Sequence, residues 1–110
     1  MTTNILDPKD PSDVKDYRID WTKVLTAEGV TTIVSSVWFE SSPSGLVIMD
    51  GSPPTGSPAE YPGFIDGMET FVFVSGGTAG TMYELRNRIE TDGAIPRTHE
   101  YSIVIPCQER

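Results

Sequence analysis

Residues 71–91 read FVFVSGGTAGTMYELRNRIET, and this stretch decides the fold. Two extended runs flank a glycine-rich connection. In the second run Tyr83, Leu85, Asn87 and Ile89 fall on one side, and Glu84, Arg86, Arg88 and Glu90 on the other. A period of two, with charges confined to one side, marks a strand with one buried and one wet face. The first run extends back to Met68 (METFVFV) and reads as its companion strand. The connection, SGGTAG at 75–80, is a loop whose glycines permit positive φ and the close approach of another backbone. It is not a phosphate cradle. No Lys-Ser/Thr pair follows the last glycine, no helical pattern succeeds it, and no aspartate lies at the required distance.

The rest of the chain supplies more strands. DYRIDWT (16–22) alternates Tyr17, Ile19 and Trp21 with Arg18, Asp20 and Thr22. Leu25–Gly29 reads as a turn. VTTIVSSVWFE (30–40) is β-branched and strand-favouring. Simple alternation there puts Ile33, Val37 and Phe39 on one face and Trp38 on the other. Trp38 is then either an exposed contact, of the kind enriched at interfaces, or a ring covered by the facing sheet or a loop. A turn at 41–45 leads into GLVIMD (45–50). Residues 51–67, GSPPTGSPAEYPGFIDG, hold four of the nine prolines. They read as a surface loop well beyond the usual length, a common carrier of binding function. Tyr61, Pro62 and Phe64 either pin that loop or present a contact. After an Asp92-Gly93 turn, HEYSIVI (99–105) closes the chain with Tyr101, Ile103 and Ile105 on one face, and Pro106 ends it. Residues 1–15 are polar and broken by Asp-Pro at 7–8 and 10–11, which reads as an extended arm.

About seven short strands, regular turn signals and no helical pattern longer than a turn predict an all-β antiparallel sandwich. We expect one domain over 16–110, preceded by the arm at 1–15. Tyr83 opens the penultimate strand between two Gly-containing turns. That is the placement of the tyrosine corner in immunoglobulin-like sandwiches, and it predicts that Tyr83 bonds back to the preceding loop.

One hundred and ten residues with a net charge of −8 suit a single domain and disfavour nucleic-acid binding. Cys107 is the lone cysteine, so no intrachain disulfide holds the fold. The N-terminus lacks a basic segment followed by an apolar one, so no signal peptide is expected. No apolar run approaches a membrane span. Catalysis is not expected either. His99 stands alone among polar neighbours at a strand start, and no Gly-x-Ser-x-Gly frames a serine. No carboxylate spacing singles out an acid–base couple. Asp7, Asp10, Asp13 and Asp16 recur every three residues but lack the calcium-loop pattern. We therefore assign no catalytic, cofactor or metal residues.

Taken together, KDPSDVKDYRIDW (9–21), a strand ending around Trp38, and TFVFVSGGTAGTMYELRNRIETDG (70–93) before a short last strand resemble a known family. Its members are small proteins encoded among the tail genes of tailed bacteriophages and prophages, described as fibre–tail adaptors or hypothetical virion proteins. The resemblance rests most specifically on Lys9-Asp10-Pro11, Asp20-Trp21, the 75–80 loop, Tyr83, Asn87-Arg88-Ile89 and Thr91. It covers residues 9–40 and 70–105 and does not extend to the loop 51–67. It implies a structural virion protein that docks on the tail tube or nozzle and holds a fibre or receptor-binding protein. It further implies a homo-oligomer around the tail axis; from charge, hydropathy and the absence of motifs we expect no cofactor and no contact with nucleic acid or membrane. The partner interface is expected at Trp38, Tyr61, Pro62 and Phe64, at Gly76 and Gly77, and at Asp10 and Pro11 of an arm lying on a neighbouring copy. Two other readings fit the same composition: a capsid decoration protein, and a carbohydrate- or receptor-binding module with Trp38, Tyr61 and Phe64 as a stacking platform.

Overall fold

In a computed structural model of the chain, the structure describes residues 3–5, 9, 13–30, 32–40, 45–49, 60–93 and 95–108. The strands are β1 (Thr3–Ile5), β2 (Lys15–Asp20), β3 (Ile33–Glu40), β4 (Leu46–Met49), β5 (Phe64–Asp66), β6 (Glu69–Gly76), β7 (Met82–Thr91) and β8 (Thr98–Pro106). One short helix, α1 (Thr22–Glu28), lies between β2 and β3. The strands form two sheets, β1-β8-β7-β3 and β2-β6-β4, with β5 also paired to β6. Both are antiparallel except for the edge pair β1–β8. The expected all-β sandwich is the observed architecture.

The alternation of β7 holds along its length. Tyr83, Leu85, Asn87, Ile89 and Thr91 are buried, while Glu84, Arg86, Arg88 and Glu90 are on the outer side. Facing them across the core are Tyr17 and Ile19 of β2, Leu46 and Ile48 of β4, and Val72 and Val74 of β6, all in one cluster with Ile103 and Ile105. Tyr83 does bond back: its hydroxyl oxygen accepts the Thr78 N–H at 2.8 Å, which ties down the β6–β7 connection.

One polar chain crosses this apolar core. Trp21 Nε1 donates to Thr70 Oγ1 (3.0 Å), and the Thr70 hydroxyl donates to Asn87 Oδ1 (2.6 Å). The Asn87 amide then donates to Ser36 Oγ and to the Val37 carbonyl, both at 2.9 Å. Asn87 and Thr70 are fully buried. Each donor finds an acceptor, as burial of an amide requires.

Two local readings are corrected. The face assignment of β3 inverts, because Ile33 pairs with Thr91 while Ser35 pairs with Glu90. Val34 is therefore an extra residue, and a bulge of one residue reverses the parity of everything after it. Ser36 and Trp38 point inward. Phe39 points outward and is shielded by the Arg86 and Arg88 guanidiniums, 5.4 and 5.2 Å from its ring centre. The turn expected at 25–29 is the end of α1. The Asp20 carboxylate accepts from the Thr22 backbone N–H and hydroxyl at the start of that helix. Gly29, at φ +72°, closes it with its N–H on the Leu25 and Thr26 carbonyls, and Leu25 is completely buried. Seven residues with one anchoring leucine are too few to display a helical period. The helix is also held by charge: Glu28 accepts from Arg97 at 3.0 Å and lies 2.9 Å from His99 Nε2.

The described part of the N-terminal segment runs along its own chain. Thr3–Ile5 pairs in parallel with Ser102–Val104. The Lys9 N–H bonds to the Pro106 carbonyl at 2.8 Å, and its ammonium donates to the Gly76 carbonyl, also at 2.8 Å.

These contacts set two expectations. Replacing Asn87 by Ala strands the Thr70 and Ser36 hydroxyls and the Val37 carbonyl in the core. The variant should lose about 3 kcal/mol in chemical denaturation, whereas the outward Glu90→Ala should change stability by less than about 0.5 kcal/mol. The second concerns pH. The His99 contact, supported by Arg97, holds the Glu28 carboxyl below its ordinary value. A lowered folded-state value means stability that is complete above the ordinary carboxylate range and lost as pH falls through the folded value. The melting-temperature gap between the native chain and Glu28→Gln should be open at neutral pH and narrow progressively as pH falls below the ordinary carboxylate range.

Candidate docking face

The strand β6 is apolar on both sides. Val72 and Val74 enter the core, while Phe71 and Phe73 point out. Register then builds the outer face of this sheet rung by rung. Asp16 pairs with Phe73, Arg18 with Phe71, and Asp20 with Glu69 on the β2 side. On the other side Phe64 pairs with Phe71 and Asp66 with Glu69. The three phenylalanines form one cluster. Phe64 and Phe71 stack at 5.0 Å and 17°, and Phe73 meets them edge-on at 6.0 Å from each. Arg18 lies over Phe71 with its guanidinium carbon 4.1 Å from the ring centre, a cation–π contact. The same guanidinium reaches Asp16 at 3.1 Å, Glu69 at 3.5 Å and Asp66 at 4.0 Å. Phe73 remains 38% exposed, and Val47 of β4, 55% exposed, flanks the cluster.

The outer face of the other sheet is different in kind. Arg88 bonds Glu100 at 2.9 Å and Arg86 approaches the same carboxylate at 3.8 Å. Phe39 lies beneath them with 8% of its surface accessible. On this face the two arginines share Glu100, Glu84 and Glu90 lie on the outer side, and the Phe39 ring is covered, as on an ordinary solvated surface.

The residues singled out in the sequence are dispersed. Phe64 belongs to the aromatic cluster. Trp38 is fully buried, and its indole N–H has no hydrogen-bond partner among the described residues. Tyr61 sits beside it, exchanging two backbone bonds with Trp38 at 2.6 and 2.8 Å. Gly63, at φ +62°, packs on the indole so closely that a Cβ there would stand 2.6 Å from the ring. Segment 60–66 thus crosses from β3 of one sheet to β6 of the other, with Pro62 exposed at the crossing. Trp38, Tyr61 and Phe64 form no common stacking platform. Gly77 serves the interior, where a Cβ would fall 2.8 Å from Cys107 Sγ and 3.3 Å from the Tyr83 ring, and the Gly76 carbonyl accepts from the Lys9 ammonium. Asp10, Pro11 and loop residues 50–59 lie outside the described residues.

Phe71, Phe73 and Arg18 were not marked by sequence reading. Their signal was the FVFV run itself, since a strand apolar on both faces in a two-layer sandwich must expose one of them or have it covered. For chemistry the site offers stacking surfaces and carboxylates. Among the described residues no group of three His, Cys, Asp or Glu side chains is placed to hold a metal ion. A shallow cleft of about 260 Å³ between β2 and β8, lined by Ile19, Trp21, Val24, Tyr101 and Ile103 with Arg18 and Asp20, brings together no nucleophile and base. Among the described residues no helix is long and apolar enough to cross a membrane.

No curated protein and no solved structure matches the chain. Residues 9–106 match the family described as "Podophage GP4 fiber-tail adaptor protein gp77". The match spans nearly the whole sandwich and both strands that carry the aromatic cluster, and the chain belongs to this podophage fibre-tail adaptor family.

Proposed function

We propose that the protein is a structural component of a podophage tail, an adaptor that joins a fibre or receptor-binding protein to the tail, and that it contributes no catalysis. The observation that carries this reading is the asymmetry between the two sheet faces. One has its two arginines paired with Glu100 and its Phe39 ring covered, while the other leaves Phe73 and Val47 accessible beside a stacked phenylalanine pair. Accessible aromatic rings at the centre of a polar rim are the usual anatomy of a protein interface. The strand neighbours β8-β7-β3 against β2-β6-β4, with Tyr83 bonded to the preceding loop, support an immunoglobulin-like arrangement. That arrangement leaves both faces available to other proteins.

We also propose that copies assemble around the tail axis and that residues 1–15 act as an arm distinct from the 16–110 sandwich. What supports the arm is its attachment. Thr3–Ile5 joins the sheet along a single edge of β8, a pairing that a neighbouring copy could receive equally well.

The test uses particles. A phage lacking the native gene is complemented with native protein or with Phe73→Ser, and purified particles are assayed for adaptor and fibre by mass spectrometry. Phe73 is accessible, so the isolated variant should melt within a few degrees of native. The affinity for its neighbour should fall by about 2 kcal/mol or more, leaving particles short of fibre. Electron microscopy of antibody-labelled native particles should place the protein at the tail tip or fibre bases. Label spread over the head would instead support a decoration protein. Saturable binding on a glycan array by the isolated chain would support a sugar-binding module.

A further inference from the structure

The aromatic face carries more negative charge than its own stability calls for. Asp20, Glu69 and Asp66 occupy one rung across three strands, each on the outer side, with Glu69 directly opposite both of the others. Like charges opposite one another across a ladder destabilise a sheet. Asp16 adds a fourth carboxylate two rungs away. Among the described residues the cation that reaches this group is Arg18, and it is divided between Asp16, Glu69 and Asp66. Asp20 is held ionised by its bonds to Thr22. The surplus is solvent-accessible and shares its face with the exposed ring of Phe73.

Arg18 also shows what this face receives. Its guanidinium carbon stands 4.1 Å from the Phe71 ring centre while its nitrogens reach carboxylates on both sides. Phe73 offers a second ring beside Asp16, one rung along and without such a cation over it among the described residues. Delocalised, weakly hydrated guanidinium is the cation that combines ring stacking with carboxylate pairing.

We propose that the face formed by Phe64, Phe71, Phe73, Asp16, Asp66 and Glu69 docks a protein surface in which arginine side chains surround an apolar centre, with a partner arginine repeating on this face the contact that Arg18 makes. This specifies the partner of the docking face described above and rests on that reading. The outer rung holds carboxylates that repel one another in the free protein and acquire counter-charges in the complex.

The probe is a capped peptide of alternating arginine and leucine, titrated into the full isotope-labelled chain and followed by amide NMR shifts, with a glutamate–leucine peptide as control. Saturable shifts should appear at residues 16–18, 64–66 and 69–73 with the arginine peptide and be absent with the control. They should weaken about fivefold in the double variant Asp66→Asn, Glu69→Gln and fade in about 0.5 M sodium chloride. That variant should melt no lower than native, since it relieves repulsion. Shifts confined to the Phe39–Arg88 face, equal response to both peptides, no response, or a lower melting temperature in the variant would each overturn the proposal. The particle assay with Phe73→Ser tests docking irrespective of the partner's charge, so the two readings can fail separately.

Discussion

The side chain of Asn87 holds the sandwich in register. Its three hydrogen bonds reach Thr70 in the opposite sheet and Ser36 and Val37 on the neighbouring strand. Thr70 in turn receives the Trp21 indole N–H at the start of the helix. Hydrophobic contacts between two sheets tolerate sliding, because one aliphatic group is nearly as good a neighbour as the next. A buried amide does not tolerate it. A shift of β3 by one residue would remove Ser36 from reach and leave a desolvated donor. The bulge at Val34 and the Asn87 network are two parts of one arrangement: the extra residue brings Ser36 inward, and Asn87 requires it there.

That constraint determines what lies outside. With Val72, Val74 and Thr70 fixed inward, Phe71, Phe73 and Glu69 must point outward, and pairing with β2 and β5 places Arg18 and Phe64 on the same rung. The candidate docking face is therefore a consequence of core registry and is built on strands, not on loops. Such a surface needs little ordering on association, which lowers the entropic cost of a contact. Membership of a fibre-tail adaptor family fits a face that is rigid before it meets its partner.

Much of this was legible in the residues. The alternation at 82–91 identified a strand and its buried side, including Asn87, and the position of Tyr83 anticipated its bond to the preceding loop. Three things were hidden for physical reasons. A single-residue bulge carries no composition signal, so Trp38 was assigned to the wrong side of β3. α1 spans seven residues and shows no period. The role of Phe71 and Phe73 depends on β5, a three-residue strand inside a proline-rich stretch whose pairing with β6 no local pattern announces. Composition showed an acidic chain, but only the register placed three carboxylates on one rung.

The flank of β6 opposite β2 is shared by two short strands laid end to end. β4 covers positions 73–76 and β5 covers 69–71. Neither offers more than four residues of outer edge. On the other flank the edge of β2 alternates Asp16, Arg18 and Asp20. Exposed phenylalanines next to a long, flat, apolar edge would invite stacking of copies into fibrous aggregates. An interrupted edge on one side and a charged one on the other deny that growth a template. The exposed ring of Phe73 therefore lies between two flanks that another copy's strand could extend only poorly.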